Sequence, residues 1–129
     1  MAIEPDALAA EVVCYLTTTG RVTAQPRSIE IWFALCGGTF YMLSGNGNRA
    51  DWVKNALREP RVTIKVRESV FDARARAMND DAEDALARRL LFEKYSRTED
   101  QATTSLSITE WARTSLPLAF DLVSPATTD

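Results

Sequence analysis

Arg21 and Arg27 bracket a turn over Gly20 to Gln25 that also carries Thr23, with Thr18 just ahead of it. Two guanidiniums and two hydroxyls on one short hairpin are the groups that grip an oxyanion from two directions. A second polar segment, Ser44-Gly-Asn-Gly-Asn-Arg49, precedes a helical pattern that opens near Asp51 and Trp52. Gly45 and Gly47 tolerate close approach, so backbone N–H groups of this bend, with Asn46 between them, can converge on an anion beside the helix start. Each segment has an ordinary explanation of its own. The threonines suit strands, the arginines suit solvent, Asn-Gly is common turn composition and Asp51 suits a helix N-terminus. Two such segments on neighbouring elements, separated by one apolar strand pair, imply a phosphorylated small-molecule ligand held in a shared cleft. Trp32 and Trp52 flank the segments, either as walls for a flat ring system or as core aromatics.

The elements that must position these groups fit one domain, 1–129. A chain of 129 residues with 46% apolar content can bury a core without metal or disulfide support. The 15 basic and 18 acidic residues give a net charge of -3, which argues against a nucleic-acid partner and leaves the basic residues to act locally. No stretch has the length of a membrane span, and Met1 to Ala10 carries Glu4 and Asp6 where a signal segment would be basic and then apolar, so a cytoplasmic protein is expected. Histidine is absent, which removes Ser-His-Asp and Cys-His nucleophiles and every histidine-containing zinc site; no metal is expected. Cys14 and Cys36 lie in or beside apolar runs and read as packing residues.

Along the chain, Pro5 to Val13 has helical spacing, and Cys14 to Thr19 reads as a strand. Arg27 to Leu35 reads as a second strand with Ile29, Ile31, Phe33 and Leu35 on one face, leaving Trp32 anomalous on the other. Cys36-Gly37-Gly38 is a turn into the strand Thr39 to Leu43; Ala50 to Arg58 is a short helix stopped by Glu59-Pro60. Strands follow at Val62 to Val66 and Val70 to Met78, where Ala73, Ala75 and Ala77 suggest tight packing. Asp80 to Tyr95 is the clearest helix, opened by acids and striped with Leu86, Leu90 and Leu91. Ser96 to Ser107 is polar and reads as a loop, Ile108 to Ser115 as a helical turn or two, and Leu116 to Val123 as the closing strand. The count is about six strands.

Leu16-Thr-Thr-Thr-Gly-Arg21, Gln25-Pro-Arg27, Trp32, Ser44-Gly-Asn, Trp52, Asn55 and Pro60-Arg-Val62 together resemble the deazaflavin-dependent nitroreductase family, over most of residues 12 to 78. The resemblance implies a mainly β (α+β) fold, a six-stranded antiparallel split β-barrel of the FMN-binding type with flanking helices, related to pyridoxamine-phosphate-oxidase-like proteins. It also implies coenzyme F420 as cofactor and hydride transfer to a nitro compound, quinone or activated alkene. Carried over by position, Arg21, Thr23 and Arg27 would hold the cofactor's phosphate and anionic tail, and Ser44, Gly45 and Asn46 would approach the phosphate. Ile31 and Trp32 would line the ring's strand side, Trp52 and Asn55 would approach from the short helix, and Tyr95 would serve as proton donor or substrate contact. Gly45 stands where the family carries a lysine, so Arg49 or Lys54 would supply that charge. Ile29-Glu30 replaces the family's Asn-Pro, and aromatic residues that follow the family's helix tyrosine are missing. Two alternatives remain open: an FMN-binding oxidoreductase of the same barrel, which would be a homodimer, or a non-catalytic barrel that carries a lipid or other apolar molecule.

Overall fold

Among the described residues the chain forms seven strands, all antiparallel to their neighbours: β1 (Cys14–Thr19), β2 (Pro26–Ile31), β3 (Ala34–Cys36), β4 (Thr39–Ser44), β5 (Arg61–Val66), β6 (Ser69–Ala77) and β7 (Leu116–Leu122). Three α-helices accompany them among the described residues: α1 (Asp51–Arg58), α2 (Asp81–Ser96) and α3 (109–114). The computed structural model describes residues 8–96 and 109–123. The loop expected over Ser96 to Ser107 therefore lies almost wholly outside the described residues, as does the start of the helix expected over Pro5 to Val13. The described part of that expected helix is turn and irregular chain from Ala9 to Val13.

Strand order in the sheet is β2-β1-β5-β6-β7-β4-β3. The two edge strands, β2 and β3, are consecutive in the chain and are joined only by Trp32 and Phe33. Two edges linked by so short a connection oblige the sheet to curl until they meet, which makes a split barrel. The count is thus seven, because the strand expected over Arg27 to Leu35 divides at Trp32-Phe33. The division has a cause outside the strand. Phe33 N–H donates to the Tyr95 hydroxyl at 2.9 Å, and its carbonyl accepts from Lys94 Nζ at 2.9 Å. The end of α2 therefore supplies the partners that a neighbouring strand would otherwise provide. The Tyr95 hydroxyl places its own proton on the Val12 carbonyl at 2.6 Å. Lys94 lies over the Phe33 ring at 3.7 Å, and burial pulls its ammonium down to about 8.

The expected faces survive the division. Ile29, Ile31, Phe33 and Leu35 pack into the barrel interior with Leu16, Phe40, Met42, Ile64 and Phe120, beside the small Ala73 and Ala75. Trp32 and Ala34 face the other way, into a second layer where Ala87, Leu91 and Tyr95 of α2 cover Tyr41, Leu43 and Ala119. Strands β4 and β7 are consequently buried on both faces and carry unbroken apolar runs. Cys14 is in the interior, its thiol pushed up to about 12 by burial. Cys36 is exposed instead of packed, because the chain turns away after it through Gly37 and Gly38 at φ 58 and 85. Among the described residues no helix is long and apolar enough to cross a membrane.

An ionic network ties this second layer together. Arg76 of β6 grips Glu83 with both terminal nitrogens, at 2.7 and 2.6 Å, and Asp121 of β7 through Nε at 2.6 Å. The Tyr41 hydroxyl donates to Glu83 at 2.7 Å and the Thr39 hydroxyl to Asp121 at 2.8 Å. Hydrogen bonds from Arg76 first, and from Tyr41 second, pull Glu83 from 4.5 to about 2. The folded chain thus binds protons on Glu83 less readily than the unfolded chain. Its stabilisation is whole above pH 4.5 and is lost as pH falls toward 2. Allowing for solvent screening of the half-exposed Arg76, that loss is about 1–2 kcal/mol. Urea unfolding of wild type between pH 5 and pH 2 should accordingly fall more steeply than that of Glu83→Gln; parallel curves would remove the network from the account.

Candidate functional site

The hairpin turn between β1 and β2 depends on glycine at one position. Gly20 N–H donates to Gln25 O at 2.8 Å and Ala24 N–H to Gly20 O at 2.8 Å, and a Cβ on Gly20 would meet Gln25 O and Thr23 Oγ1 at 3.1 Å each. That same Cβ would lie 3.5 Å from Arg27 Nε, so the missing side chain also makes room for the guanidinium. Ala24 takes a left-handed φ of 61, a strain the turn holds against the residue's own preference. Thr23 is not free to face a ligand with its whole hydroxyl, since its oxygen accepts Gln25 N–H at 3.2 Å.

Between this turn, β2 and α1 lies a hollow of about 610 Å³ whose walls include Arg21, Thr23, Arg27, Trp52 and Asn55. A second hollow of about 440 Å³ adjoins it, bounded by Ile29 to Ile31, the bend Ser44 to Asn46 and Trp52. Ile29, Asp51 and Trp52 line both. The hairpin arginines and the asparagine-rich bend thus face adjoining halves of one cleft, with Trp52 as the partition. Trp52 is half-buried and packs against Phe120 with ring centroids 6.3 Å apart.

Arg21 is the most constrained member. Its backbone N–H and its Nη1 both donate to Asn55 Oδ1, at 3.2 and 2.9 Å, and its Nη2 donates to Asp51 at 3.2 Å. Asn55 is itself only 4% exposed, and its Nδ2 reaches Thr18 Oγ1 at 3.4 Å. Helix α1 therefore clamps the turn through one buried amide. The bend is fixed more simply, by the Ser44 hydroxyl donating to Gly47 O at 2.8 Å. A Cβ on Gly45 would meet nothing nearer than Ser115 Oγ and Trp111 Cδ1 at 4.0 Å, so packing leaves that edge of the cleft open. The N-cap of α1 is Ala50, with no side-chain cap bond, which leaves the first amides of the helix without a side-chain acceptor.

Of the residues singled out from sequence, Arg21, Thr23, Arg27, Trp52 and Asn55 line the first hollow, and Ile31, Ser44, Gly45, Asn46 and Trp52 the second. Three line neither. Trp32 stacks on Tyr95 at 4.1 Å and 3° and meets Trp111 edge-on at 5.3 Å, so it is part of the layer beneath α2. Tyr95 is 1% exposed with its hydroxyl committed to backbone groups, and burial raises its pKa well above the usual phenol range. Arg49 ends the tight turn Gly47–Arg49, exposed and outside both hollows. Two residues not proposed as ligand contacts line both halves of the cleft. Asp51 borders both halves and pairs with Arg21; its place beside Trp52 was the available signal, masked by its fitness as a helix-starting acid. Ile29 borders both as well, as the next inward position before Ile31 on the same strand face.

A ligand with an anionic end and a flat ring fits this donor set: guanidiniums in one half, and Ile29, Ile31 and Trp52 with an open glycine edge in the other. Comparison with known proteins agrees. Among solved structures, 96% of the chain matches 83% of a Bacteroides thetaiotaomicron protein assigned to 5-nitroimidazole antibiotic resistance, with TM-score 0.70 and 15% identity. An F420-H2 dependent reductase (FDR-A) matches with TM-score 0.64 and 18% identity, over 84% of this chain and 92% of that one. A Listeria innocua protein assigned as a pyridoxamine 5'-phosphate oxidase matches at 0.61 and 16%, over 92% and 87%. These likenesses establish the fold as a split barrel of the pyridoxamine-phosphate-oxidase-like kind. The family model for F420H(2)-dependent quinone reductase matches residues 6–111, and on that match the chain belongs to the F420H(2)-dependent quinone reductase family, oxidoreductases that use the deazaflavin coenzyme F420.

Proposed function

We propose that this protein reduces small activated acceptors, namely quinones, nitro compounds or activated alkenes, with its cleft holding coenzyme F420 across both hollows. The observation that carries the reading is the joining of a guanidinium-lined half to a glycine-edged half walled by Ile29, Glu30 and Ile31, the two sharing Ile29, Asp51 and Trp52. Arg21 and Arg27 take the phosphate and the anionic tail, with Thr23 beside them. Ile29, Ile31 and Trp52 offer flat apolar faces to the ring, and the bend at Ser44, Gly45 and Asn46 lets backbone amides come close without a side chain in the way. Bound there in its reduced form, the coenzyme supplies the hydride. The protein's part is to fix the ring and hold an acceptor near it, which accounts for a chain without histidine or an activated nucleophile. Water at the open rim completes the acceptor with a proton.

Titration of the purified protein with F420 should quench the coenzyme's fluorescence, and at about 100 times the dissociation constant it should stabilise the fold by about 2.7 kcal/mol. Absence of both effects would defeat the reading. With binding in hand, turnover of menadione, a nitroimidazole and a cyclic enone under reduced coenzyme ranks the three acceptor classes.

A further inference from the structure

Arg21 is held from two sides by groups that differ in charge and in burial. Asn55 is buried and accepts both the backbone N–H and Nη1 of Arg21. Asp51 carries a full charge, has its side chain 82% exposed, and touches Nη2 through one oxygen at 3.2 Å. The first contact orients the guanidinium and belongs to the packed seam between turn and α1. The second is a lone, solvated ion pair, the kind that exchanges readily with other anions. Asp51 also borders both halves of the cleft, so its carboxylate stands where an arriving anion must come.

We infer that Asp51 is an internal competitor for the anion site: it occupies Nη2 of Arg21 in the empty cleft and must yield that nitrogen when a phosphate binds. Asn55 is the positioning residue that keeps the guanidinium in place during the exchange. This rests on the proposed reading of the cleft and adds to it a residue that sets affinity downward. A phosphate group has oxygens that can take two guanidinium nitrogens together, where the Asp51 carboxylate touches Nη2 through one oxygen alone. The pair keeps Arg21 neutralised while the cleft is empty.

The test is a set of fluorescence titrations with coenzyme F420 and, separately, inorganic pyrophosphate followed by tryptophan emission. They are run on wild type, Asp51→Asn, Arg21→Gln and the double variant, each with its unfolding midpoint recorded to verify folding. Asp51→Asn is expected to bind both probes about three- to tenfold more tightly than wild type, in the range of one exposed ion pair and the repulsion it exerts. Most of that gain should vanish in the Arg21→Gln background, since the carboxylate acts through Arg21. If the gain persists undiminished without Arg21, Asp51 acts only as general negative charge and the competition is refuted. Unchanged or weaker binding by a folded Asp51→Asn refutes it equally. Wild type that binds F420 while these gains fail leaves the reductase reading standing; no response to F420 by any variant overturns both.

Discussion

Arg27→Ala is expected to weaken F420 binding by about 10- to 100-fold, the equivalent of losing a charge-assisted hydrogen bond of about 1.5–3 kcal/mol. Arg27 is the second residue of β2, is exposed on the wall of the first hollow, and among the described residues has no ion-pair partner. Arg21, in contrast, is already committed to Asn55 and Asp51. The guanidinium that can turn fully onto an incoming phosphate is therefore that of Arg27, and Gly20 leaves the space for it. Fluorescence titration at low and at physiological salt measures the effect. The variant should also show a shallower salt dependence, because one solvent-screened attraction has gone. Arg27→Lys should recover part of the affinity, since it restores charge but not the planar fork. Arg27→Ala with undiminished affinity at both salt concentrations would move the anion site away from the hairpin.

Much of the architecture was legible because local patterns and final packing agree. The alternation through Val62 to Val66, the acid-opened run into α2 and the Pro60 stop after α1 each end close to where the structure ends them. The division of the expected long strand was not legible. Ile29, Ile31, Phe33 and Leu35 alternate without a break, and all four do face the interior. What interrupts the strand is a hydroxyl and an ammonium from residues more than 60 positions away, satisfying the backbone of Phe33. A purely local reading has no access to such partners. The same distance hides the role of Trp32. An outward tryptophan on a strand reads equally as a ligand wall or as a surface awaiting cover, and only the docking of α2 and Trp111 decides for the latter. Arginines, hydroxyls and glycines around the cleft were easier to find, since residue type and turn position together restrict what they can do. The pairing of Arg21 with Asp51 was the hidden part. Helix-start chemistry explains Asp51 well enough in the sequence to conceal a second task.

Tyr95→Phe is expected to lower stability by about 2–4 kcal/mol, since it leaves the buried Phe33 N–H and the Val12 carbonyl without their partner. For a chain of this size that corresponds to a fall of roughly 10 °C in the unfolding midpoint. The ring would remain stacked on Trp32 at 4.1 Å, so the loss isolates the hydroxyl from the packing. Removing it weakens the place where the two sheet edges meet, and Lys94, still donating to Phe33 O, cannot replace it because an ammonium accepts nothing. Calorimetry on wild type and variant checks the size of the effect, and F420 titration well below both midpoints checks its location. Tyr95 lines neither half of the cleft, so the variant's affinity for the coenzyme should match that of wild type while it stays folded. The opposite pattern, an unchanged midpoint with turnover reduced tenfold or more, would return the hydroxyl to the acceptor as a proton donor and remove it from the fold.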